Sequence, residues 1–219
     1  MRVALERVGA PIKITPPVIT LQGLKHAVTN VALAGSFFFT ALPNANRNDP
    51  SLASLIWMVG AAIMGVFTLF RIPPRTVMIT AHSIVASGGM VLLPCFMRPG
   101  YHTVGIIAAV AIVFELAGVV LSQVARIYMG RSFGILPANR GLVSRGPFAL
   151  VRHPIYVGWL ILSLGFALSY PSVWNFFFLG ASLPFMVWRI QLEETLLHDD
   201  PEYRAYQERV QFRLWPGLI

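Results

Sequence analysis

The chain has 219 residues, 56% hydrophobic and only 12% charged, with 17 Lys and Arg against 9 Asp and Glu and a formal net charge of +8. A soluble domain carries about a quarter charged residues, and a mean hydropathy of +0.66 leaves too little polar surface to cover a water-exposed globule, so composition excludes a soluble protein. The positive charge does not indicate nucleic acid, because the basic residues lie between apolar runs and form no single stripe. Cys95 is the only cysteine, which excludes an intrachain disulfide and a thiolate metal cluster.

Four long apolar stretches come first: Leu24–Leu42, Leu52–Phe70, Thr76–Met97 and His102–Ala125. Each approaches the ~20 residues a helix needs to cross the hydrocarbon of a bilayer. The leader before the first run contains prolines and is long for a signal n-region, so that run reads as a retained membrane segment. A polar stretch, Arg126–Arg152, follows with five arginines and no acid. Two shorter runs, Tyr156–Tyr170 and Val173–Trp188, are separated at Pro171 and read as a helical hairpin. Beyond Arg189 the chain is charged, with Leu, Tyr, Val and Trp at helix-like intervals.

Lys and Arg placement sets the orientation. Arg2, Arg7 and Lys13 precede the first run and Lys25 stands at its start, Arg71 and Arg75 follow the second, the five loop arginines follow the fourth, and Arg189 follows the sixth. The other connections hold Arg47, Arg98 and nothing. The positive-inside rule places both termini and the Arg126–Arg152 loop on the cytoplasmic side, in the inner membrane if the source is bacterial. The expected fold is an all-α integral membrane protein of about six transmembrane helices, the last two a hairpin, with a cytoplasmic amphipathic C-terminal helix. Residues 1–125 form a four-helix transmembrane region. Residues 126–219 form a loop, the hairpin and the C-terminal helix within the same compact domain.

Polar chemistry concentrates after Arg126. Arg152-His153-Pro154 at the mouth of a membrane helix offers a cation, a titratable ring and a helix-starting proline, and the N–H groups of that helix start can bind a carboxylate. Arg189 and Glu193 are four residues apart and share a helix face. The turn at Pro171 returns the chain, bringing the His153 and Glu193 ends together at the cytoplasmic surface. Such a pocket carries both signs of charge, aromatic surface and a flank open to lipid. It suits a zwitterionic, adenosine-like cofactor from water and a lipophilic partner from the bilayer.

The run Arg152-His153-Pro154-Ile155-Tyr156-Val157-Gly158, followed by Arg189-Ile190-Gln191-Leu192-Glu193-Glu194 and by Pro201-Glu202-Tyr203-Arg204-Ala205-Tyr206, is similar to the isoprenylcysteine carboxyl methyltransferase family. Phospholipid N-methyltransferases and bacterial thiol S-methyltransferases share much of this pattern, which here runs from Gly130 to Pro216. The resemblance implies an integral membrane methyltransferase using S-adenosylmethionine and no metal. It assigns cofactor contacts to Arg140, Gly141, Leu142 and Val143, to Phe148, to His153, Pro154, Ile155 and Tyr156, and to Glu193. Phe148 stands where the family usually has Tyr, which keeps a ring contact and loses a hydroxyl. Arg189 falls on the family's substrate-side arginine, where it would orient an anionic acceptor. Displacement at a sulfonium methyl releases a neutral leaving group, so alignment in a water-poor pocket matters more than acid catalysis.

Each assignment has a plainer counterpart. Arg152 taken alone is a positive-inside anchor, and Glu194 reads as structural, paired with a loop arginine. Glu115, His82 and Gln123 lie within apolar runs, where ionisable groups are functional candidates; Glu115 is either part of a substrate pocket or a polar contact between helices. Trp57, Tyr101, Trp188 and Trp215 read as interface anchors. The implied partners are the membrane and a lipophilic small-molecule or lipid acceptor carrying a carboxylate, thiol or amine, with no nucleic acid and no obligate protein partner evident. Two other functions fit the architecture: a membrane-bound, NADPH-dependent sterol- or steroid-type reductase, and a non-catalytic small-molecule transporter. A reductase needs more cytoplasmic contacts than this loop and tail supply, and a transporter predicts an internal repeat that is not visible.

Overall fold

The structure is a computed structural model, and it describes residues 52–70, 76–130, 138–139 and 142–215, together with Asn30, Val31, Ala34 and Gly35. Apart from those four, which are helical, the expected first run Leu24–Leu42 lies outside the described residues, as do Arg140 and Gly141. Among the described residues six α-helices follow in order: α1 (Leu52–Leu69), α2 (Ala81–Leu92), α3 (Ile106–Met129), α4 (Pro154–Ser169), α5 (Val173–Leu197) and α6 (Pro201–Arg209). Two 3-10 turns, Leu93–Phe96 and Gly146–Ala149, join them. A two-residue antiparallel bridge pairs β1 (Thr76–Val77) with β2 (Ala138–Asn139) and ties the connection before α2 to the polar loop after α3.

The helices α3 and α5 are long and apolar enough to cross a membrane. On α3 the buried residues Ala111, Glu115, Gly118, Ser122 and Ala125 recur at spacings of four and three, which places them on one face. Val113, Leu116, Val120 and Ile127 are exposed on the rest of its surface. The buried face meets α4 through glycines. A Cβ on Gly118 would collide with the backbone of Leu162 and Gly158, and one on Gly165 would lie 2.7 Å from the Glu115 amide nitrogen. Small residues that let two backbones touch hold membrane helices together, since lipid gives no hydrophobic drive between them.

Pro171 and Ser172 connect α4 to α5, and the Ser172 side chain caps α5 by accepting from the Asn175 amide at 3.1 Å. Phe166, Tyr170 and Leu179 fill the space between these helices. Large side chains keep their backbones farther apart than those of α3 and α4, and among the described residues the closest helical neighbour of α5 is α2. Thus the expected hairpin exists as a connection, while the tightest packing pairs α3 with α4. At this turn Asn175 accepts from the Arg98 amide at 2.8 Å and donates to the Arg98 and Tyr170 carbonyls at 2.9 and 2.7 Å.

Two expected boundaries are corrected. The apolar run Thr76–Met97 holds a helix of only 12 residues. Thr80 and Ser83 form a reciprocal capping box that delays its start, and the 3-10 turn containing Pro94 ends it. The last apolar run ends at Trp188, but α5 continues to Leu197. A break follows, and α6 starts anew with Asp200 accepting from the Glu202 amide at 3.0 Å and Pro201 in its first turn. The charged tail is therefore two helical pieces and an extended end, not one surface helix.

Candidate functional site

Four chain segments converge where α4 begins. Pro154 opens α4, where a missing N–H costs no helical bond, and leaves Arg152 and His153 in the non-helical approach. Their backbone amides donate to the carbonyls of Phe212 and Arg213, both at 2.9 Å. This pairing straps the extended tail Val210–Arg213 across the mouth of α4. The Arg152 Nη1 adds bonds to the carbonyls of Val210 and Gln211, both at 2.8 Å.

Glu194 is the hub beneath the strap. Its Oε1 accepts from Arg152 Nε at 2.8 Å and lies 3.2 Å from His153 Nε2, while Oε2 accepts from Arg213 Nε at 2.8 Å. A carboxylate only accepts, so His153 presents a protonated Nε2 to it. Glu194 and His153 are both buried. Removing such a hub leaves several buried donors without their acceptor.

One residue earlier on α5, Glu193 faces a different group. The Tyr156 hydroxyl donates to Glu193 Oε2 at 2.8 Å and accepts from Arg189 Nε at 2.6 Å. Arg189 and Glu193, four residues apart, thus share one phenol. The Arg189 guanidinium also sits 5.6 Å from the Tyr156 ring centre, within cation–π range. The His153 ring stacks on the same ring at 5.5 Å. Met90, Met186 and Ile190 pack behind Tyr156.

The aromatic wall comes from α6. Tyr203 and Tyr206, three residues apart, are buried on one face with Val210, and Leu142 and Leu197 pack against them. The Tyr206 hydroxyl donates to the Phe148 carbonyl at 2.7 Å, and burial pushes its ionisation up to about 12, against the pull of Arg152. Gly146 holds the turn before Phe148 in place: its φ is +64°, and a Cβ there would lie 2.6 Å from the Tyr128 ring at the end of α3.

Of the residues singled out from the sequence, the structure brings together His153, Pro154, Ile155, Tyr156, Arg189 and Glu193, with Phe148 and Leu142 against α6. Val143 is half-buried next to Leu142. Arg140 and Gly141 lie outside the described residues, but β2 immediately precedes them and lies against α5. Glu115 is not brought to this group. It is fully buried, and its Oε1 accepts from Ser169 at 2.7 Å at the opposite end of α4. Fifteen residues of helix at 1.5 Å each put Ser169 roughly 22 Å from Pro154. Glu194 pairs with the loop arginine Arg152 as its plainer reading required. Sequence reasoning missed the strap, because backbone-to-backbone pairing has no side-chain signature, and with it Arg213, whose side chain the strap carries to Glu194.

Residues 101–200 match the family model described as phospholipid methyltransferase. That stretch runs from the turn before α3 to the end of α5 and stops just short of α6 and the strap. No curated protein matches the chain.

Proposed function

We propose, from the match of residues 101–200 to the phospholipid methyltransferase family model, that the protein is an integral membrane methyltransferase that binds S-adenosylmethionine at the mouth of α4. The acceptor is a lipophilic molecule carrying a carboxylate, thiol or amine, and it meets the cofactor at the cytoplasmic leaflet. In this reading the chain is multi-pass with both termini cytoplasmic, which the distribution of Lys and Arg supports. The observation that carries the reading is the chain Arg189–Tyr156–Glu193 beside the stacked His153 ring.

The residues present fit such a cofactor. Glu193 is half-buried and uses only Oε2 on the protein among the described residues, so Oε1 can accept from an ammonium. Tyr156, His153 and Phe148 supply ring surface, and Leu142, Val143 and Ile155 supply apolar surface. The family resemblance assigns Arg140 and Gly141 to the same cofactor. When bound, S-adenosylmethionine supplies an electrophilic methyl on a sulfonium centre.

The chain's own groups then bind and align. Glu193 holds the amino end of the ligand. Tyr156, fixed from both sides by Arg189 and Glu193, keeps its ring in one orientation and excludes water. Arg189 reaches the site from α5, where its charge orients an anionic acceptor. Pre-set alignment of this kind lowers the barrier without proton transfer to the leaving group.

Incubating detergent-purified protein with methyl-labelled S-adenosylmethionine and a total membrane lipid extract tests the activity. Label passing into the organic phase, and lost in Glu193→Gln, is the expected result. Organic-phase label equal to a no-protein control overturns the proposal.

A further inference from the structure

Tyr203 and Tyr206 occupy the same face of α6 and both are buried, yet their hydroxyls differ. Tyr206 donates to the Phe148 carbonyl. The Tyr203 hydroxyl is buried and has no hydrogen-bond partner among the described residues. A buried donor left unmade is costly and calls for an explanation. The side chains packed with it, Leu142, Leu197, Val210 and the Tyr206 ring at 5.9 Å, offer no acceptor.

The phenol also lies within electrostatic reach of Glu194, Glu193 and Arg152, the groups at the mouth of α4, and burial together with the two glutamates pushes its ionisation well up. It therefore stays a neutral donor. Leu142 beside it directly follows Arg140 and Gly141, the loop assigned to the cofactor. Phe148, on the same wall, lacks the hydroxyl that a tyrosine would place there. The segment carrying Tyr203 lies outside the residues matched to the family.

We propose that the Tyr203 hydroxyl is a cofactor-binding group, donating a hydrogen bond to an oxygen or nitrogen acceptor of an S-adenosylmethionine-type ligand. The assignment rests on the methyltransferase reading given above. The partner missing from the protein is supplied by the ligand, so α6 is part of the site as well as its cover.

Two readouts on Tyr203→Phe separate this role from a structural one. Calorimetric titration with S-adenosylhomocysteine should show about five- to tenfold weaker binding than wild type, the effect of one lost hydrogen bond. Thermal unfolding of the ligand-free variant should occur at the wild-type temperature or above it, because an unsatisfied donor has been removed. Tyr206→Phe, which loses a bond to the protein, should unfold at a lower temperature. Wild-type binding with an unchanged Kd in Tyr203→Phe overturns the assignment and leaves the methyltransferase reading standing. A wild-type protein that ignores S-adenosylhomocysteine overturns both.

Discussion

Glu115 and Glu194 are both buried carboxylates on the two long apolar helices, one near each end of α4, and their surroundings have little in common. Among the described residues Glu115 meets a single hydroxyl, Ser169, in a contact walled by Gly165, where α3 and α4 touch backbone to backbone. Glu194 meets Arg152, His153 and Arg213, which arrive from the approach to α4 and from the tail. Burial is common to both ends; convergence of separate segments with opposite charges is found at one. Close packing without room marks a scaffold. A charge hub that pins a strap, next to a second carboxylate with an oxygen to spare, is the arrangement on which the proposed cofactor site rests.

The strongest way to break the comparison is at the scaffold. Gly158→Leu drives a side chain into Ser122 and the Gly118 carbonyl. Overpacking in cores costs about 1–3 kcal/mol and occasionally more; here the obstacle includes backbone that cannot rotate aside, which puts the loss above the ~5 kcal/mol upper end for a broken buried ion pair. We expect little monodisperse protein by size-exclusion chromatography; normal yield and unfolding temperature would show that α3 and α4 are not locked as described.

Next in size is the hub. Glu194→Gln keeps the shape and removes the charge that two arginines and His153 share. Losing one partner of a buried ion pair costs about 3–5 kcal/mol, with the lower end expected because the Arg213 side chain is 34% exposed and is screened by water. Denaturant unfolding in detergent measures the loss, and limited proteolysis should release the tail after Val210. A tail as resistant as in wild type would contradict the strap. The smallest change is expected from Glu115→Gln, whose amide oxygen still accepts from Ser169. Stability within about 1 kcal/mol of wild type is predicted, and a larger drop would assign Glu115 more than a contact between helices.

The sequence carried part of this contrast. Hydropathy located α3 and α5 because long apolar runs report where a chain prefers lipid. It misplaced α2, since the start of that helix is set by the Thr80–Ser83 capping box, a local bonding choice inside an apolar run. It also stopped at Trp188, although a helix can continue through polar residues once its apolar part is anchored. The spacing of Arg189 and Glu193 predicted a shared face, and both indeed reach Tyr156. Which of Glu193 and Glu194 faces the cations depends on the rotation of α5 about its axis, and that is fixed by packing on α2. Tyr203 and Tyr206 are indistinguishable in the sequence; only the position of the Phe148 carbonyl separates them.

The central claim, that a methyl-donor cofactor binds at the mouth of α4 and not at the glycine-walled end, is tested most directly by titrating three proteins with S-adenosylhomocysteine in a calorimeter. Wild type and Glu115→Gln should bind with equal affinity, and Glu193→Gln should bind at least about tenfold more weakly, as expected for loss of a charged hydrogen-bond acceptor. Full affinity in Glu193→Gln, with binding lost in Glu115→Gln, would contradict the account.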